Sequence, residues 1–152
     1  MYRNTLTVKL NHEGEEKEFN LRLSVGAQLK LKNEYKEEGV QLVFAAMDDL
    51  ELMLKVFTLA LTFKDNENEV TDGAEFYELL VDNGYSGKEA FAKLIFEIAA
   101  ASGIIKENQS EQLSSMITDT YSAMFDSLSG DKVLETITAE KADEKSETFR
   151  GE

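Results

Sequence analysis

Apolar and polar residues alternate at the start of the chain. Leu6, Val8 and Leu10 interleave with Thr5, Thr7 and Lys9, and Phe19, Leu21 and Leu23 interleave with Glu18, Asn20 and Arg22. A period of two is that of a half-buried strand. The stretch between them, Asn11-His12-Glu13-Gly14, is turn chemistry. Strands over 5–10 and 17–23 are therefore expected to pair as a β-hairpin with one apolar face. A lone hairpin is marginal in water, so that face should pack on a helix.

From Ser24 the period lengthens to that of a helix. Ser24 is an N-cap, Ala27, Leu31 and Tyr35 share a stripe, and Gly39 is a stop, which predicts a helix over 24–38. A short helix is expected over 40–47. Asp48 with Glu51 three residues later then resembles a capping box. The helix over 49–63 is the most apolar: Leu50, Leu54, Phe57 and Leu61 form one face, and Met53, Val56, Ala60 and Phe63 the next. Its polar stripe is so thin that the helix should sit centrally, packed on several sides. A polar, acidic loop follows over 64–72. Asp72 with Glu75 opens a helix ending at Asn83-Gly84, and Ser86 with Glu89 opens another, with Phe91, Leu94, Ile95 and Ile98 inward and Gly103 as its stop. A last amphipathic helix is expected over 110–128, ended by Gly130, with Leu113, Ile117, Tyr121, Met124 and Leu128 on one stripe.

The fold class expected is thus α+β, mainly α: an N-terminal β-hairpin followed by five to six helices in a compact bundle. Residues 1–130 read as a single helical domain. Residues 131–152 are charged and poor in apolar side chains, and 138–152 in particular read as disordered. No apolar stretch resembles a signal peptide or a membrane span, because Asp48, Asp49, Glu51 and Lys55 interrupt the most apolar region.

Charge narrows the partners. The chain has 16 basic and 30 acidic residues among its 152, a formal net charge of −14. Such a field repels nucleic acid and anionic membranes and favours solubility. The densest basic group, Lys30, Lys32 and Lys36, is interleaved with Glu34, Glu37 and Glu38, so it makes no nucleic-acid footprint.

Candidate chemistry is sparse. Cysteine is absent, and the one histidine, His12, lies in the turn and reads as a solvated polar residue. Asp65-Asn66-Glu67-Asn68-Glu69 places oxygens at alternate positions, as a calcium loop does, but Val70 stands where the sixth position needs glycine and Phe76 where the twelfth needs glutamate. Neither a metal nor any other cofactor is expected. The carboxylate pairs Glu15–Glu16, Glu37–Glu38 and Asp48–Asp49 fall in turns and helix ends, where surface charge accounts for them. The chain is therefore read as a binding protein and not an enzyme. Met47, Met53, Met116 and Met124 lie on helices and read first as core filling, secondly as an adaptable binding surface.

The order of parts resembles the tail assembly chaperones of long-tailed bacteriophages and prophages. The matching features are the strand pair, the helix ending in Glu38-Gly39, the apolar helix over 50–63 and the acidic loop. Glu75-Phe76-Tyr77-Glu78-Leu79-Leu80-Val81-Asp82 also matches, as does Gly84-Tyr85-Ser86 leading to Ala99-Ala100-Ala101-Ser102-Gly103. The resemblance covers residues 5–103. It implies a protein of the host bacterial cytoplasm that binds the tape measure protein, keeps it soluble, helps tail tube subunits polymerise around it, and is absent from the mature virion. In many members a ribosomal frameshift near the end of the gene gives a longer second form, which would place it at the tail ending in Glu152. The alternatives are an acidic secretion-type chaperone or adaptor, and a structural tail or connector protein. For either chaperone, the stripe Leu113, Ile117, Tyr121, Met124 and Leu128 is the expected partner-binding surface, and self-association through apolar helix faces is expected as well.

Overall fold

The computed structural model describes the backbone of residues 5–129 and the side chains of residues 5–124. It holds an antiparallel hairpin, β1 (Leu6–His12) and β2 (Glu15–Leu21). Six helices follow: α1 (Val25–Tyr35), α2 (Gly39–Asp48), α3 (Leu50–Leu61), α4 (Gly73–Asp82), α5 (Gly87–Ala101) and α6 (Glu107–Ser129). The α+β, mainly α class stands. The chain divides into two compact units, Met1–Ser114 and Ser115–Glu152, with the boundary inside α6. The tail expected over 131–152 lies outside the described residues.

The hairpin turn is Glu13-Gly14, both with positive φ (56° and 84°). Two such residues give the turn whose twist matches that of the strands it joins. The register sets Val8 opposite Phe19 and Leu6 opposite Leu21, and Val8, Leu10, Phe19 and Leu21 are buried. The expected helix beneath that face is supplied by α3 and α4, which pack on β2 and β1 respectively. Fully buried Phe76 of α4 sits 5.6 Å from Phe19 of the hairpin and 5.6 Å from Phe57 of α3, ring centre to ring centre. As expected, α3 is central, with α1, α2, α4 and β2 against it.

Several boundaries differ from the sequence reading. The first helix closes at Tyr35, because Lys36 takes the left-handed conformation (φ 64°); Gly39 then opens α2 instead of stopping α1. The cap of α3 is Asp49, accepting from Leu52 N at 3.2 Å, while Asp48 is the last residue of α2 and pairs with Lys88. Ser24 and Asp72 cap as expected, but Ser86 makes no side-chain bond to its helix. The last helix begins at Glu107, ahead of Ser110. Gln109 Oε1 accepts from Lys106 N at 2.8 Å, which is the glutamine half of a capping box without its serine half.

On each edge of the hairpin one residue is met by an asparagine side chain that imitates a neighbouring strand. Asn68 accepts from Asn20 N (2.7 Å) and donates to Asn20 O (2.8 Å) and to Leu61 O (2.8 Å). Asn83 does the same at Asn11, accepting from its N (2.8 Å) and donating to its O (3.0 Å). Edge strands present unpaired backbone groups that invite association, and here a primary amide occupies those of Asn11 on one edge and of Asn20 on the other. An Asn68→Asp variant keeps the acceptor but turns both donations into repulsions between a carboxylate and carbonyl oxygens. It is expected to lose about 1–3 kcal/mol of stability, measured by urea unfolding; an unchanged midpoint would show that the pin is dispensable.

Candidate functional site

His12 and the acidic loop after α3 meet in one polar cluster. His12 Nδ1 meets Glu69 Oε1 at 2.6 Å, and Lys17 Nζ meets the other oxygen of Glu69 at 3.4 Å and Glu15 at 3.2 Å. His12 is therefore not the solvated turn residue expected from sequence; it ties the hairpin to the acidic loop. The His12 ring, and then Lys17, hold the Glu69 carboxyl below the ordinary range. Hydrogen bonds to Glu15 and Glu69 raise Lys17. Glu13 brings a third ligand atom within 4.8 Å of those of His12 and Glu69, but the short His12–Glu69 contact already accounts for the arrangement.

The calcium-like stretch is used in the same way. Asn66 Oδ1 accepts from Asn68 N at 3.0 Å, Asn68 Oδ1 faces Asn20 N, and Glu69 faces His12 and Lys17. These oxygens shape the loop between α3 and α4.

A shallow groove along α5 contains Tyr85, Lys93 and Glu97. Removal from water raises the Glu97 carboxyl, partly offset by Lys93; the Tyr85 phenol is raised chiefly by its own burial and then by Glu97. Lys93 is held by Glu89 at 3.2 Å, one helical turn back. Glu97 keeps a solvent-exposed side chain, so it is not a buried acid.

Apolar exposure is the more telling property. On α6, Met116 is 62% and Met124 51% exposed. Leu113, Ile117 and Tyr121 are half-buried, and none of the described residues beyond Ser110 is buried. Of the five residues expected to bind a partner, four therefore present apolar surface along one stripe; Leu128 lies on the same helix, but its side chain is outside the described residues. Of the four methionines on helices, Met53 is buried and Met47 half-buried, whereas Met116 and Met124 are exposed.

A second apolar surface was not evident from the sequence. Leu50 and Leu54 of α3 and Tyr77 and Val81 of α4 line a groove rimmed by Glu78 and Asp82. Leu50 is 57% and Val81 47% exposed. The floor is held firmly: Tyr77 stacks on Phe91 of α5 at 4.4 Å with the rings within 6° of parallel. The sequence signal was the width of the apolar arc on α4. Phe76, Leu79 and Leu80 fill its buried side, and Tyr77 and Val81 are more than one face needs. Val25 and Leu29 on α1, and Val40 and Phe44 on α2, are likewise exposed pairs four residues apart.

No helix among the described residues is long and apolar enough to cross a membrane. The chain matches no family model, no curated protein and no solved structure.

Proposed function

We propose that this chain is a non-catalytic holding protein for a long helical partner, of the tail assembly chaperone kind. It would bind the tape measure protein, keep it in solution, and leave before the tail is complete. The observation that carries this reading is the α6 stripe: Leu113, Ile117, Tyr121 and Met124 at helical spacing, with Met116 and Met124 largely in water. A helix that keeps methionines in solvent has adaptable surface to offer an apolar helix, which is the helix-in-groove mode of recognition. The net charge of −14 opposes aggregation of the loaded complex. The commitment of His12, Glu69 and Lys17 to one another also favours binding over catalysis.

Co-expression with the tape measure protein of the same locus tests the reading. The partner is expected to move from the pellet to the supernatant when this chain is present. Ile117→Asp should weaken capture by about tenfold or more, since a carboxylate would enter an apolar contact, while the melting temperature stays within a degree or two. Partner solubility that is the same with and without this chain would refute the reading. Equal rescue by a folded Ile117→Asp variant would move the site away from α6.

A further inference from the structure

The outer edge of β1 is closed at one end and open at the other. Asn11 N–H donates to the Asn83 side chain and Asn11 C=O accepts from it, so both groups point away from β2. Backbone groups alternate in direction along an antiparallel strand. Those of Lys9 and Thr7 therefore turn to the same side, and neither residue makes a backbone–backbone hydrogen bond outside the hairpin among the described residues. Beside the Thr7 end of this edge lies a groove of about 500 Å³, floored by Leu6 of β1 and by Ala100 and Ala101 of α5.

Two independent features of the groove call for a hydrogen-bond donor that carries positive charge. Glu97 of α5 and Glu107 and Glu111 of α6 line it, and no lysine, arginine or histidine does. None of the three carboxylates is in an ion pair among the described residues. Removal from water raises the Glu97 carboxyl, and Lys93, already held by Glu89, offsets this only in part. The second feature is Ser110, which is 5% exposed and stands in the groove wall. Its N–H donates to Lys106 O, but its hydroxyl has no hydrogen-bond partner among the described residues. A buried hydroxyl without a partner is costly, and a ligand group that meets it recovers that cost. The carboxylates do not converge as metal ligands do; among the described residues the group that does is His12, Glu13 and Glu69. An ammonium or guanidinium on a longer chain fits the groove better, since it only donates.

We propose that an extended basic segment of a partner protein adds as a strand to the open edge of β1 and sets a lysine or arginine among Glu97, Glu107 and Glu111. Strand addition draws affinity from main-chain hydrogen bonds, here to Thr7 and Lys9, and specificity from pockets for alternate side chains. A strand on that edge lies about 4.8 Å from β1 and turns every second side chain to the helix side. The residue opposite Leu6 is so turned. Its stem crosses the small Ala100 and Ala101, and its charged head reaches the carboxylates and the Ser110 hydroxyl. Lys9 faces the other side of the hairpin, so the residue opposite it must be neutral or acidic. A free polyamine would meet the carboxylates but leave the strand edge unused. The inference does not depend on the α6 stripe, since the edge and the groove lie within the unit Met1–Ser114.

The test is an NMR titration of the isotope-labelled full chain with a blocked Thr-Lys-Thr-Lys-Thr-Lys peptide, in about 0.15 M salt to screen distant charges. Alternation puts all its lysines on the groove side and its threonines on the side of Lys9. The amides of Thr7, Lys9 and Ser110 should shift together and saturate. Glu107→Gln with Glu111→Gln should weaken binding about tenfold or more, as the loss of charged hydrogen bonds does. Glu78→Gln with Asp82→Asn makes the same change of charge at exposed positions elsewhere and should leave the affinity within about twofold. N-methylation of the peptide threonines removes the donors to the β1 edge, keeps the charge, and should weaken binding about tenfold as well. Ser110→Ala should bind more weakly yet melt no lower than the wild type, because its hydroxyl has no bond in the fold to lose. Absence of saturable shifts at Thr7 and Lys9 would overturn the proposal. Equal weakening by the two double variants would do so too, since it would mean attraction to net charge alone. Undiminished binding of the N-methylated peptide, or spermine binding as tightly as the peptide, would leave a cation site without strand addition and overturn it. A Ser110→Ala variant that melts several degrees lower would show the hydroxyl bonded within the fold, with the same consequence.

Discussion

Gly73→Val is expected to unfold the protein or nearly so, with Gly73→Ala close behind. Gly73 is the first residue of α4, and its amide donates to Thr58 Oγ1 of α3 at 2.8 Å. A Cβ there would lie 2.0 Å from the Leu54 carbonyl oxygen, 2.7 Å from Thr58 Oγ1 and 2.9 Å from the Leu54 carbonyl carbon. Two of these atoms are helix backbone in the central helix, which cannot yield without breaking its own hydrogen bonds. Overpacking commonly costs about 1–3 kcal/mol when flexible side chains absorb it; here rigid backbone must, so the alanine variant is expected at or above about 3 kcal/mol. At roughly 2–4 °C per kcal/mol for a chain of this size, that is a fall of about 6–12 °C or more.

The sign of this result is its diagnostic. Inside a helix, glycine to alanine normally stabilises by about 0.5–1 kcal/mol. Gly26, in the first turn of α1, supplies the comparison, because a Cβ there meets nothing nearer than Ser24 Oγ at 3.9 Å. Gly26→Ala should leave the melting temperature unchanged or raise it, while Gly73→Ala lowers it steeply. If both variants melted like the wild type, the close approach of α4 to α3 would be wrong, and with it the groove that this approach sets.

The sequence made the elements legible and left their closeness hidden. Alternation at Leu6–Val8–Leu10 and Phe19–Leu21 announced the hairpin, and the thin polar stripe of α3 announced its central place, because both are properties of one segment read by itself. Nothing local marks Gly73, which simply follows the capping Asp72; its importance comes from the Leu54 backbone, which only the fold brings against it. Asn68 and His12 were read as loop residues for the same reason. Their partners, Asn20 and Glu69, are brought to them only by the fold. The α6 stripe was legible as a periodic pattern, whereas the α3–α4 groove was not, since Leu50 and Leu54 share the period of the core residues beside them. Periodicity tells which residues align on one helix. It does not tell where a neighbouring helix ends and leaves that line uncovered.

Phe76→Ala is expected to remove about 3–5 kcal/mol, the range for emptying a buried phenylalanine site. That is about a fifth or more of the stability of a typical domain, which lies at about 5–15 kcal/mol. Phe76 is fully buried and touches two rings on different elements, Phe19 of β2 and Phe57 of α3. The loss should therefore be uneven. Phe57 sits on α3, which has α1, α2, α4 and β2 around it, so its surroundings can retain order after the ring is removed. The hairpin has only its one apolar face, and Phe19 rests on the vacated site. Amide exchange should accordingly speed up across Val8, Leu10, Phe19 and Leu21 by a larger factor than across α3. Phe44→Ala is the matched control, since the Phe44 ring is already exposed on α2 and its removal should change stability by less than about 0.5 kcal/mol. Equal losses for Phe44 and Phe76, or hairpin amides that keep their protection in the Phe76 variant, would mean that the hairpin is held by something other than the Phe19–Phe76–Phe57 stack.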